Sequence, residues 1–122
     1  MRIEERSFYM TQSNETALPG SDQKYRIHPD AKRYTMRDNA FIETKNGNFQ
    51  YERVLSKKPG TKTAPKLKVT VSKDFNDLRM STVAANGVKK VNLYANEQQQ
   101  EARELAEFYL ATFVQEGILE KV

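Results

Sequence analysis

Cysteine is absent from the chain, which excludes disulfides, thiolate nucleophiles and every cysteine-ligated metal or iron–sulfur site. Histidine is almost absent: His28 is the only one, so a zinc or non-haem iron centre would have to be built nearly all from carboxylates. The longest apolar run, Phe108 to Ala111, falls far short of the ~20 residues that cross a bilayer. The first thirty residues hold no signal-peptide core. Glycine is scarce, and each of the five has a turn or cap context; none stands in a Walker or dinucleotide spacing. These absences predict a cytoplasmic protein with no cofactor, no metal and no membrane association.

Enough remains to fold. Apolar residues make up 38% and charged residues 30% of 122, the composition of a globular chain with room for one domain and one core. The net charge is +4, but it is unevenly spread. Residues 31–90 carry fourteen basic and five acidic side chains, and residues 91–122 carry two and six. A basic middle beside an acidic end fits a polyanionic partner, and equally fits two solvated faces of opposite sign.

Residues 1–24 show neither helical nor strand period and contain the turn-prone stretches Ser13–Thr16 and Pro19–Asp22. They are expected to form a flexible arm, with Ile3, Phe8 and Tyr9 able to dock as a short strand. Residues 25–122 are expected to be a single α+β domain, an antiparallel β-structure built from hairpins and packed on one long C-terminal helix. Tyr25–His28 has strand character and stops at Pro29. Asn46–Gly47 predicts a two-residue type I′ hairpin turn pairing Thr44 with Phe49 and Ile42 with Tyr51. Lys66–Ser72 alternates strictly, with Leu67, Val69 and Val71 inward, and Asp74–Asp77 turns it into the next strand. Asn86–Gly87 predicts a second hairpin, pairing Ala85 with Val88, Thr82 with Val91, Met80 with Leu93 and Leu78 with Ala95. Asn96 with Gln99 forms a capping-box arrangement. Beyond it, Ala102, Leu105, Ala106, Tyr109, Leu110 and Phe113 make one apolar helical stripe that ends at Gly117. Ile118–Val122 is expected to be a short strand or a packed tail.

Little in this pattern carries chemistry. His28 sits at a strand end with no nucleophile elbow in the chain, so it reads as an ordinary surface histidine. Asp74 and Asp77 lack the ligand pattern of a metal loop and read as turn residues. Lys57, Lys58, Lys62, Lys66, Lys68 and Lys73 form a run free of acidic residues, a candidate polyanion-binding surface for nucleic acid. The interleaved aromatics of single-strand binders are missing from it, and lysines also protect sheet edges. Phe108 lies on the flank of the helix stripe, either capping the rim of the core or facing a partner. Carboxylates such as Asp38, Glu43 and Glu52 are a third resource, with nothing in the sequence to order them into a site.

From about residue 25 onward, the stretches AKRYTMRDNAFIETKNGNFQYERVL, KLKVTVSKDFNDLRM and ANGVKKVNLY, with a closing helix ending FVQEGILEKV, resemble a small Gram-positive bacterial family of unknown function. That family is described as an α+β fold with two β-sheets packed on a single helix. The resemblance implies a remote similarity in fold to bacterial S-adenosylmethionine decarboxylases, and a link to sulfur and methionine amino-acid metabolism with a cysteine desulfurase as partner. Those decarboxylases make their pyruvoyl group by self-cleavage at a Glu-Ser bond. This chain has no Glu-Ser dipeptide and no cysteine proton donor. A non-catalytic accessory or small-ligand-binding domain is therefore the expected function, with a nucleic-acid-binding module as the alternative.

Overall fold

Seven strands and two helices make up the computed structural model, which describes residues 15–58 and 60–122. Strands β1 (Glu15–Thr16), β2 (Tyr25–Ile27) and β7 (Leu119–Lys121) form one antiparallel sheet with β2 central. A second antiparallel sheet runs β3 (Ile42–Glu43), β4 (Phe49–Val54), β5 (Lys66–Val71), β6 (Leu78–Val83). Helix α1 (Arg33–Asp38) leads into β3, and α2 (Gln100–Gln115) leads into β7. Both sheets and α2 close on one apolar cluster, so this is the expected α+β architecture.

The strict alternation of β5 determines the larger sheet. Leu67, Val69 and Val71 are fully buried while Lys66, Lys68 and Thr70 line the other face. Burial of each such side chain is worth about 1.5–3 kcal/mol. On α2 the stripe delivers Ala102, Ala106, Leu110 and Phe113 to the core, with Leu105 and Tyr109 at its margins. Gly117, at φ +76°, ends the helix in a Schellman motif: Ile118 N–H bonds the Phe113 carbonyl at 2.9 Å and Gly117 N–H that of Val114 at 3.2 Å. Ile118 is fully buried beyond it, and β7 is the short final strand.

Four expectations need correction. Residues 15–24 are not an arm: β1 pairs with β2 and Leu18 is buried in the core. The expected docking of Ile3, Phe8 and Tyr9 lies outside the described residues.

The first hairpin is slipped by one, with Ile42 opposite Gln50 and Glu43 opposite Phe49. Only Gly47 is left-handed, at φ +86°, and its N–H bonds Thr44, so three residues rather than two make the loop. The slip turns Ile42 outward to 72% exposure while Phe49 and Tyr51 stay buried.

The second hairpin has the expected register but ends early. Val83 bridges Lys90, and Val91 N–H bonds Thr82. Asn92 then turns the chain by accepting the Tyr94 N–H at 2.8 Å. Leu93 is buried by packing, without a ladder. Finally, Asn96 caps through the N–H of Gln98 at 3.0 Å rather than through a box with Gln99, and opens a 3-10 turn (Glu97–Gln99) ahead of α2.

Helix α1 has no counterpart in the sequence pattern. Six residues are too few to show a helical period, and its C-terminus lacks the usual glycine. Phe41 N–H bonds Met36 and Ala40 N–H bonds Arg37, the same Schellman pattern as in α2, with Ala40 at φ +70°.

Candidate functional site

Successive residues on a helix point about 100° apart, and on α2 this sends Glu107 and Phe108 into different clefts. Glu107 opens onto the three-stranded sheet. Its carboxylate accepts the Tyr94 hydroxyl at 2.6 Å inside a cavity of ≈330 Å³ lined by Leu18, Ser21, Tyr25, Tyr94, Glu107 and Lys121, among others. Each wall has a local cause. Tyr94 is placed by the Asn92 turn just ahead of the helix cap. Tyr25 and Lys121 are direct cross-strand partners and so share one face of the sheet. Ser21 follows the turn at Gly20, where a Cβ would stand 2.1 Å from Asn92 Oδ1.

The electrostatics follow from burial and from Glu107. Burial is the main cause that pushes the Tyr94 phenol up to about 12, with the Glu107 hydrogen bond adding to it and the Ser21 hydroxyl opposing. Tyr25 is raised as well, by burial first and by the charge of Glu107 second. Both phenols thus hold their protons at neutral pH and can donate hydrogen bonds, but neither serves there as a base. With Leu18, Leu110 and Ala111 as apolar floor, the cleft offers one carboxylate, one ammonium and several hydroxyls around a greasy patch.

Phe108 opens the other way, onto α1 and β4. A cavity of ≈410 Å³ there is lined by residues including Asp38, Ala40, Tyr51, Arg53, Phe108 and Tyr109. Arg53 lies over the Tyr109 ring at 4.7 Å, and Phe113 meets Tyr51 edge-on at 4.9 Å beneath them.

The lysines are spread along β5 and the loop ahead of it. Lys57, Lys58 and Lys62 sit in the loop ahead of β5, Lys66 and Lys68 on its outer face, and Lys73 past its far end. Lys66 and Lys73 are thus roughly 23 Å apart at ~3.3 Å per residue. Lys68 is held by Glu52 at 3.6 Å and donates to the Gly87 carbonyl. His28 Nδ1 accepts the Asp30 N–H at 3.0 Å, closing the strand end. Asp38, Glu43 and Glu52 are kept apart: Glu43 pairs with Arg37 and Arg33, and Glu52 with Lys68. Among the described residues no group of three or more His, Cys, Asp or Glu could hold a metal ion, and no helix is long and apolar enough to cross a membrane.

Sequence reasoning missed the Tyr94–Glu107 pair. Tyr94 precedes the helix, thirteen residues from Glu107, so no helical spacing signals it.

The family model described as "DUF1831: Putative amino acid metabolism" matches residues 10–120. The chain is also similar to a DUF1831 family protein of Lactobacillus plantarum known from a crystal structure. Identity is 33% over 93% of this chain and 99% of that one, with a TM-score of 0.83. No curated protein matches.

Proposed function

Because the chain belongs to the DUF1831 family, a Gram-positive bacterial family of unknown function, we propose that it is a non-catalytic small-ligand-binding domain whose cleft beside Glu107 takes a free amino acid. The observation that carries this reading is the meeting of opposite charges over an apolar floor. Glu107, with one carboxylate oxygen already bonded to Tyr94, keeps the other for a ligand ammonium. Lys121, on the rim of the same cavity, faces a ligand carboxylate. Leu18, Leu110 and Ala111 receive an apolar side chain. A cavity of ≈330 Å³ lies at the small end of ligand pockets, which suits a molecule of amino-acid size.

The family description names amino-acid metabolism, and a sulfur-containing amino acid such as methionine is the ligand to try first. A protein of sulfur amino-acid metabolism, such as a cysteine desulfurase, is the proposed recipient or donor of that ligand. Two protonated phenols and, among the described residues of the cleft, no ordered nucleophile support binding rather than turnover.

Calorimetric titration tests the reading. L-methionine is expected to bind with a Kd on the order of 0.1–1 mM, as fits about nine heavy atoms. N-acetylmethionine, which lacks the ammonium, and methioninamide, which lacks the carboxylate, should each bind at least about tenfold more weakly. Glu107→Gln should abolish the preference for the free ammonium. Equal binding of all three compounds, or none, would sink the proposal.

A further inference from the structure

We propose that the second cleft, between α1, β4 and α2, binds a small monocarboxylate carried on an aromatic body, gripped by Arg53 and walled by Phe108. The site is separate from the amino-acid cleft, and the inference does not rest on that reading.

Arg53 differs from the arginines of α1 and β6, while Arg103 on α2, which also lacks an ion pair among the described residues, donates to the Leu93 carbonyl and lies over the Tyr94 ring. Arg33 and Arg37 pair with Glu43, and Arg79 pairs with Asp77, whereas Arg53 makes no ion pair among the described residues. Its neighbours are instead the Tyr109 ring, 4.7 Å from the guanidinium carbon, and the hydroxyls of Tyr51 and Tyr109. A guanidinium placed over a ring, with two phenols at its N–H groups, still has donors to spare among its five, and a guanidinium edge matches a carboxylate with two parallel hydrogen bonds. Asp38 lines the same cavity without forming an ion pair with Arg53.

The walls specify the rest of the ligand. Phe108 is 64% exposed and stands edge-on to Tyr109 at 5.6 Å, which leaves a phenyl ring open to a ligand at the mouth of the cavity. Tyr51 and Phe113 complete an aromatic floor. An aromatic ring is the body that stacks on such surfaces. Arg53 is the single arginine among the lining residues, and one guanidinium fork matches one carboxylate. Ala40, at the end of α1, holds this rim in a left-handed turn that alanine adopts only at a cost, a cost that a rim-forming role would explain.

Phenylacetate is the probe, followed by chemical shifts of the full-length protein, with phenethylamine as the body of opposite charge and acetate as the charge without a body. Phenylacetate is expected to bind at about 1 mM, shifting Ala40, Arg53, Phe108 and Tyr109. Arg53→Gln should weaken it at least about tenfold, Arg53→Lys by a smaller factor because the fork is lost and the charge kept, and Phe108→Ala about tenfold. Thermal unfolding of the Phe108→Ala protein, matched to the parent, shows that the loss is not unfolding. Phenethylamine binding as tightly as phenylacetate would overturn the assignment. So would unchanged affinity in Arg53→Gln, or no shifts at about 10 mM probe, ten times the expected constant.

Discussion

The two clefts flank one helix and are lined from neighbouring positions of it, yet they are built by opposite means. Beside Glu107 the walls are polar side chains brought together by turns: the Gly20 and Asn92 reversals set Ser21 and Tyr94, and β2 and β7 set Tyr25 and Lys121. Beside Phe108 the walls are aromatic rings that continue the core outward, with Arg53 laid on top. A cleft made by turns depends on a few backbone angles, whereas one made of core rings depends on packing. The two should fail under different substitutions.

The largest effect is expected from Phe113→Ala. Phe113 contacts Phe41 at 5.2 Å and Tyr51 at 4.9 Å, and its removal should cost about 3–5 kcal/mol. Urea unfolding would show it as a lower midpoint at unchanged slope. Against a total stability of order 5–15 kcal/mol, that leaves the Arg53 side loosened before the polar cleft is touched.

Gly20→Ala should act the other way round. It meets Asn92 Oδ1 at 2.1 Å with φ at +82°, and Asn92 is what positions Tyr94. A loss of about 1–3 kcal/mol is expected, with amide shifts confined to the neighbourhood of Ser21 and Tyr94. Shifts spreading to Arg53 would mean that the clefts are coupled.

Alkaline titration sharpens the contrast further. The folded Tyr94 phenol sits at about 12 against an ordinary 10.0, so the native state keeps a proton that the unfolded chain has released. The associated stability is complete below about pH 10 and is lost as pH rises through about 12. Discounted for the part of the ring open to solvent, it amounts to about 1 kcal/mol. Ultraviolet titration should show Tyr94 as a late phenol in the parent, alongside the raised Tyr25 and Tyr51, and an earlier Tyr94 in Glu107→Gln, because the hydrogen bond that adds to burial is weakened.

The smallest expected change is a gain. Ala40→Gly should stabilise by about 0.5–1 kcal/mol by relieving the left-handed alanine, read as a raised thermal midpoint. If Ala40 shapes the aromatic cleft, the same substitution should also weaken phenylacetate.

What could be read from the sequence was what neighbours in the chain decide. The alternation of Leu67, Val69 and Val71 is local, and so is the stripe from Ala102 to Phe113; both were legible. Gly117 announces the end of α2, whereas Ala40 performs the same Schellman turn without a glycine, so α1 passed unseen. Asn-Gly is compatible with both a two-residue and a three-residue loop, and Asn46–Gly47 took the second, moving β3 by one register position. The three-stranded sheet joins Glu15 to Arg26 and Arg26 to Glu120, pairings set by packing of the whole chain. The polar cleft depends on that sheet and on the Asn92 turn, which is why Tyr94 and Glu107 gave no signal together. Phe108 and Arg53 could be found singly; only the fold brings them to one cavity.

The most direct test is a backbone amide map of the protein titrated with L-methionine. Saturable shifts at Ser21, Tyr25, Tyr94, Glu107 and Lys121, with Arg53 and Phe108 still, are the expected result. Shifts centred on Arg53 and Phe108, or a spectrum unchanged at several times the expected Kd, would contradict it.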